Sequence, residues 1–219
     1  MERTIKVTGK GDLKIKPDTV RMMISQTGIT KDYAKTLELS AKSKDMLNEK
    51  LLELGFQKDD LKTLLFSVDV DYESCKCGDE WQRRFKGYAF NHHLKLELPV
   101  GDDRLGKVMY VLAHCPGETE FGLMYTVADP EKYKNDLLAS AIRDSSEKAR
   151  VLTQAAGVEL GEIRNIDYSW GEIEFVNRPV GMPRLDCCKS AAPNEQYDLD
   201  IEPDDITASD TVTVMWEIR

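Results

Sequence analysis

Residues 5–15 read IKVTGKGDLKI, and this stretch decides the fold because apolar and polar side chains alternate along it. An alternation with a period of two predicts a β-strand that has one buried face and one solvated face. The row predicted to face the core is Ile5, Val7, Gly9, Gly11, Leu13 and Ile15. The opposite row is Lys6, Thr8, Lys10, Asp12, Lys14 and Lys16. Two glycines on the buried side indicate a bulge or the close approach of another backbone segment.

The residues that follow this strand predict a hairpin and a helix. Lys16-Pro17-Asp18-Thr19 has the composition of a turn, since proline presets φ and aspartate bonds to nearby backbone. A second strand over residues 20–29 is predicted to pair with the first. Thr30 or Asp32 then begins a long helix that ends at Gly55, and we expect this helix to cover the hairpin.

The rest of the chain continues to alternate strands and helices. Further strands are predicted over residues 64–72, 88–98, 120–127, 163–170 and 212–218. A short helix begins at Asp102 or Asp103, and a helix of about 27 residues runs from Asp129-Pro130 to Gly157. At roughly 40 Å, the second helix is long enough to extend beyond its own sheet. Two loops are predicted, a polar one over residues 73–84 and a proline-rich one over residues 177–203.

This element order predicts an α+β protein, with a mostly antiparallel β-sheet and helices packed on one face, including one long helix. We expect a single domain over residues 1–219, or two coupled subdomains over residues 1–98 and 99–219. A chain of 219 residues is long enough to bury a core of that size.

The charge and the N-terminal sequence limit the classes of partner. A net charge of −9 opposes the phosphate backbone, so we predict no nucleic-acid partner. No run approaches the roughly 18 apolar residues of a membrane span. Residues 1–7 read MERTIKV without a following apolar segment, so we expect a cytoplasmic protein, or a periplasmic or secreted one from which a leader was removed.

The cysteines are the candidate metal or redox residues. The chain has five cysteines, and an odd number in a chain of this size argues against a disulfide scaffold. Four of them fall in predicted loops: Cys75, Cys77, Cys187 and Cys188. If the loops meet, four thiolates could bind zinc or form a redox pair. The spacings Cys-x-Cys and Cys-Cys differ from the Cys-x2-Cys of zinc knuckles, which favours unpaired thiols.

Other polar groups give no catalytic signature. His92 and His93 are adjacent on a strand and point to opposite faces, which predicts one packed and one solvated ring. Asp69 and Asp71 share a strand face that could hold a hard cation, although a solvated face is the simpler interpretation. No dinucleotide fingerprint, P-loop or nucleophile elbow is present, so the sequence predicts no catalytic residues and no cofactor.

A pattern of short motifs over nearly the whole chain resembles one protein family. Val7-Thr8-Gly9-Lys10-Gly11, followed by Lys16-Pro17-Asp18, resembles the start of the SIMPL-domain family. The resemblance continues through Leu54-Gly55, Asp60-Leu61-Lys62-Thr63, Phe66-Ser67-Val68, Gly87-Tyr88-Ala89, Leu105-Gly106-Lys107-Val108, Ala155-Ala156-Gly157 and Val212-Thr213-Val214. This family, formerly a domain of unknown function, includes bacterial periplasmic proteins associated with oxidative stress and a periplasmic immunogen.

The resemblance implies an α+β fold, homo-oligomers and a link to stress tolerance. It carries over no catalytic residue, because the family has none that is accepted. The four loop cysteines and the absence of a secretion signal depart from the family pattern.

Three functional hypotheses follow from these observations. The first is a non-enzymatic, self-assembling binding or scaffold protein. The second is a thiol- or metal-binding protein that uses the loop cysteines. The third is an uncharacterised hydrolase that uses the acidic strand face around Asp69 and Asp71.

Overall fold

The computed structural model describes residues 3–77, 80–115, 118–169, 173–177 and 202–219. Within them, two antiparallel sheets and three helices confirm the predicted α+β class. The proline-rich segment that contains Cys187 and Cys188 lies outside the described residues. In chain order the elements are β1 Thr4–Ile15, β2 Thr19–Thr30, α1 Tyr33–Glu53, β3 Lys62–Cys77, β4 Glu80–Pro99, α2 Arg104–Ala113, β5 Glu118–Thr126, α3 Pro130–Ala156, β6 Leu160–Asp167, β7 Val176–Asn177 and β8 Ile206–Ile218.

The described chain forms two compact units, each built around one sheet. The first takes its residues from Met1–Asp18, Tyr125–Arg178 and Pro203–Arg219, and the second from Thr19–Met124. The sequence-based alternatives, one domain or two subdomains divided near residue 98, stay predictions.

The first unit packs α3 against a three-stranded sheet. The strand order is β1-β8-β6, and β1 pairs with β8 in antiparallel register over its whole length, for example Val7 with Val214. The core-facing row predicted for β1 is confirmed at Val7 and Ile15, which pack with side chains of α3 and β8. Apolar packing between these three elements stabilises the unit.

Helix α3 packs against β1 and β8 along much of its length, and its extension beyond the sheet stays a prediction. It begins at the predicted cap, where the Asp129 carboxylate accepts the amide of Lys132, and ends at Gly157 in the left-handed conformation. Every fourth residue is buried from Leu137 to Thr153. Most of these buried residues are small (Ala141, Ser145, Ala149 and Thr153), so the helix backbone lies close to the sheet.

The predicted hairpin between β1 and β2 is wrong. The two strands belong to different sheets, because β1 pairs with β8 and β2 pairs with β4. Lys16, Pro17 and Asp18 connect the two strands, and Asp18 bonds to a distant segment. Its amide donates to the carbonyl of Thr126, and its carboxylate accepts the amide of Ala128 at 2.8 Å.

The second unit packs α1 and α2 with a sheet in the order β3-β4-β2-β5. Helix α1 begins where Asp32 accepts the amide of Lys35 at 3.0 Å, which confirms one of the two predicted caps. It packs against β2 and β4. The buried face of the sheet carries Val20, Met22, Ile24, Leu94, Leu96 and Leu98.

The polar loop predicted over residues 73–84 is instead the end of a long hairpin. β3 and β4 stay paired as far as Cys77 and Glu80. β2 stops pairing with β4 at Tyr88, so among the described residues β4 has β3 as its only partner from Glu80 to Gly87. These two segments, residues 71–77 and 80–87, form a two-stranded ribbon that we call the arm.

Candidate binding surface

One face of β3 and β4 carries a row of exposed apolar side chains. Phe66 pairs with His92, Val70 pairs with Tyr88 and Tyr72 pairs with Phe85, so these residues lie on the face that α1 covers further along the sheet. Trp81 lies on the same side, four residues before Phe85. The apolar stripe is defined as Phe66, Val70, Tyr72, Trp81 and Phe85.

Two rings of the stripe, Tyr72 and Phe85, are held by contacts with each other and with neighbouring side chains. Tyr72 and Phe85 meet edge to face with centroids 6.3 Å apart, and Phe85 and Tyr88 do so at 5.4 Å. Tyr88 in turn contacts Tyr33 of α1 at 5.5 Å. The Arg83 guanidinium stacks over Tyr72 at 4.8 Å. Such contacts add to area burial and orient the rings before any partner binds.

The exposed area of the stripe is comparable to that of the largest apolar patch on a typical soluble chain. The exposed fractions are 43% for Phe66, 47% for Tyr72, 72% for Trp81 and 40% for Phe85. At about 200 Å² for a large aromatic side chain, these four residues expose roughly 400 Å². Contiguous apolar patches of about this size or larger mark interaction sites on soluble proteins.

The opposite face of the arm is charged and internally paired. Glu73 pairs with Arg84, and Lys86 donates to Asp71 at 3.0 Å. The hydrogen bond with Asp71 raises the pKa of Lys86, and the hydrogen bond with Glu73 raises the pKa of Arg84. All four side chains are exposed or half-buried, so each pair contributes little to stability. The arm is therefore amphipathic, with one charged face and one apolar face that is exposed to solvent.

The two carboxylates proposed to bind a cation or to serve a hydrolase, those of Asp69 and Asp71, have separate partners. Asp71 is engaged by Lys86, and Asp69 accepts the hydroxyl of Ser67 at 3.0 Å. In the part of the chain that the structure describes, no group of three or more His, Cys, Asp or Glu side chains is placed to hold a metal ion.

A buried polar row lies under α1 and includes His92. Its Nδ1 lies 3.4 Å from the hydroxyl of Ser40, and its Nε2 lies 3.0 Å from the hydroxyl of Thr63. Burial, and then the charge of Lys44, lowers the pKa of His92. His93 faces the other side, as predicted from strand geometry. The Ser40–His92 contact lies beneath α1, and His92 is 6% exposed.

Gln26 lies directly opposite His92 in this row. Its position in the sequence gave no sign of a special role. Its side chain is 2% exposed, and neither amide atom has a hydrogen-bond partner among the described residues. A buried amide without a partner costs free energy.

Of the four candidate cysteines, only the Cys75 side chain lies within the described residues. Cys75 is half-buried on the arm, and its thiol lies 3.5 Å from the carbonyl of Gln82. The side chain of Cys77, together with Cys187 and Cys188, lies outside the described residues. The metal or redox site therefore stays a prediction.

The arm lies largely in residues for which the sequence predicted a loop. Trp81, Arg83 and Phe85 recur at every second position, and this alternation was the available signal. Charged residues between them gave the segment a loop-like composition.

An α+β protein with an amphipathic hairpin arm is the class that these features define. The chain matches the family SIMPL, described as a protein of unknown function (DUF541), over residues 5–216. The protein therefore belongs to the SIMPL family, as its sequence motifs predicted. Among curated proteins, none matches the chain.

The three helices bear on whether the chain could cross a bilayer. None of those within the described residues combines the length and the apolar character that a membrane span needs.

Proposed function

We propose that this SIMPL protein is a non-enzymatic binding or scaffold protein that associates with further copies of itself. The observation that carries this proposal is the apolar stripe, which leaves roughly 400 Å² of aromatic surface in water. The cytoplasmic location and the link to stress tolerance expected from the sequence are part of the same proposal.

The area of the stripe supports a protein partner of ordinary interface size. A standard interface takes about 800 Å² from each partner. Somewhat more than half of that is apolar. The four aromatic side chains supply most of this apolar share, and Val70 adds to it. Aromatic residues and arginine, here Arg83 over Tyr72, are also the residues that dominate binding energy at interfaces.

The weakness of an isolated ribbon supports the same proposal. A two-stranded hairpin is marginally stable in water unless further strands or a helix cover it. The arm has neither beyond Tyr88 in the described part of the chain. A second copy that covers the stripe would hold the arm in place.

The pairing of polar groups supports a non-enzymatic role. The charged side chains of the arm bond to one another, and the His92 ring is sealed under α1 with Ser40 and Thr63. Neither arrangement combines a nucleophile, a base and an accessible position for substrate.

Light scattering coupled to size-exclusion chromatography tests this proposal. We expect the wild-type chain to elute at a multiple of 24.9 kDa at micromolar concentration. The variant Tyr72→Ser/Trp81→Ser/Phe85→Ser is expected to shift to the monomer, because it removes most of the apolar stripe.

The matched control is Val151→Ser/Leu152→Ser, which removes comparably exposed apolar side chains from α3. It should keep the wild-type mass. A wild-type chain that stays monomeric across the concentration range would overturn the proposal.

A further inference from the structure

The outer edge of β3 is open. β3 is the outermost strand of its sheet, 16 residues long, and no other described segment pairs with its free side. Native proteins normally blunt such an edge, because its unpaired amides and carbonyls are a template for another strand. β1 shows such protection, since the amide of Lys10 donates to the Asp144 carboxylate of α3 at 2.7 Å.

The central part of this edge is straight and apolar. Irregularities in register fall between Thr63 and Leu65 and between Asp71 and Tyr72. Between them β3 pairs without interruption, and it exposes Leu65, Phe66 and Val70. A regular segment can accept a new strand, and the extra residue between Thr63 and Leu65 places Lys62 three pairing positions from Phe66.

The two charged residues that flank Phe66 are self-complementary. Measured along β4, Lys62 pairs with Lys95, Phe66 with His92 and Asp69 with Ala89, so Lys62 and Asp69 lie equally far from Phe66. Both point to the same face of the sheet, because Lys95 and Ala89 are separated by an even number of residues. Neither has an ionic partner among the described residues, although Asp69 accepts the hydroxyl of Ser67.

We propose that two copies of this chain pair through β3 in antiparallel orientation about a two-fold axis at Phe66. Lys62 of each copy then lies opposite Asp69 of the other, and the two Phe66 rings meet at the axis. The sheet β3-β4-β2-β5 continues into its copy as eight strands, and the two arms extend in opposite directions from the axis, each past the residues that precede Lys62 in the copy. This inference rests on the proposed self-association and names its surface.

Charge matching identifies the occupant as a second copy. An antiparallel two-fold pairing places each end of a strand against the other end of its copy. A strand with a lysine at one end and an aspartate at the other then forms two ion pairs. Opposite charges directly across strands stabilise pairing, and like charges oppose it.

Disulfide cross-linking tests the register directly. In a background with all five native cysteines replaced by serine, Lys62→Cys and Asp69→Cys are made as separate proteins. Directly opposed residues have Cβ atoms about 5 Å apart, within reach of a disulfide after a small adjustment. Under mild oxidation, we expect the mixture to form a covalent heterodimer.

Each single-cysteine protein alone is the matched control. In a pair of Lys62→Cys chains, or a pair of Asp69→Cys chains, the two introduced thiols would be roughly 20 Å apart across the axis. Each protein alone should therefore remain uncrosslinked at the concentration where the mixture reacts. Circular dichroism of the cysteine-free background verifies that the fold is retained.

Charge exchange provides an independent test without oxidation. Lys62→Glu and Asp69→Lys each place two like-charge pairs at the interface, and each is expected to weaken self-association by about tenfold. The double variant restores opposite charges and should recover wild-type affinity. Lys58→Glu and Asp59→Lys change the same charges outside the strand and should have no effect.

The outcomes separate this inference from the proposal on which it rests. An oligomeric wild type with no cross-link in the mixture and no rescue by the double variant overturns the β3 interface and leaves self-association standing. A wild type that is monomeric by light scattering overturns both.

Discussion

The second unit is most stable when the buried imidazole of His92 is neutral. The ring is buried beneath α1, and its two nitrogens face the hydroxyls of Ser40 and Thr63. The charged or titratable groups that act on it are Lys44 of α1 and His93 of its own strand. Both disfavour a positive charge on the ring, so protonation would place an unbalanced charge in the core.

This preference for a neutral ring predicts a loss of stability on mild acidification. The unfolded imidazole has a pKa of about 6.5, whereas burial lowers the pKa of the folded one. The unfolded state therefore binds the proton more tightly, so the stabilisation is complete above pH 6.5 and is lost as the pH falls below it. We expect urea denaturation of the wild type to show a falling free energy of unfolding between pH 7.5 and 5.5.

The variant His92→Gln should show a flatter profile over the same range, because it has no proton to bind. His114→Gln is the control and should keep the wild-type profile, because His114 is not among the groups that act on His92. Equal slopes for the wild type and His92→Gln would contradict the prediction.

At this scale the sequence predicted the orientation of His92 but not its surroundings. Strand alternation alone places His92 inward and His93 outward. The partners Ser40 and Thr63 come from a helix and another strand, and no local pattern indicates that they meet. The unpartnered Gln26 is also invisible in sequence, since one polar residue in an apolar row has no distinctive spacing.

The packing of α3 on β1 shows how one element constrains another. A Cβ added at Gly9 would overlap the carbonyl oxygen of Ala141, and one added at Gly11 would overlap that of Leu137. The hydroxyl of Ser145 also donates to the carbonyl of Val7 at 3.1 Å. Glycine is required at both positions because the obstacle is helix backbone, which cannot rotate away.

Substitution at Gly9 should therefore destabilise the first unit. We expect Gly9→Ala to lower the free energy of unfolding by about 3 kcal/mol, measured by urea denaturation, because the whole helix must move outward. Gly122→Ala in β5 is the matched control, since nothing lies within 4 Å of a Cβ there. Its effect should stay within about 0.5 kcal/mol. Similar losses in both variants would show that α3 is not held by this contact.

Most elements were predictable from the sequence, but their pairing was not. The caps at Asp32 and Asp129 and the left-handed Gly157 act locally, so their residue types indicate them. The turn composition at Pro17 led to a wrong prediction of a hairpin, because Asp18 bonds to Thr126 and Ala128. The loop predicted over the arm was wrong, because polar and charged residues alternate with its apolar ones and give the segment a loop-like composition.

At the scale of the whole molecule, self-association and stability should be linked. Any partner that binds the folded chain stabilises it, so the midpoint of thermal unfolding depends on protein concentration. We expect the midpoint of the wild type to rise by about 2 °C for each tenfold increase in concentration. Scanning calorimetry over two decades of concentration measures this dependence.

The variant that removes Tyr72, Trp81 and Phe85 should unfold at the same temperature at every concentration. A wild type whose midpoint is independent of concentration would contradict the linkage.

The pairing of β1 with β8 has a consequence for how the chain is made. Thr8 and Thr213 touch across these strands although 205 residues separate them. During translation, β1 leaves the ribosome early and waits through nearly the whole of synthesis for its neighbour. Residues Thr19–Met124, which supply the described strands and helices of the second unit, can fold in the meantime. Until β8 emerges, the lysines that alternate along β1 oppose its pairing with strands of other molecules.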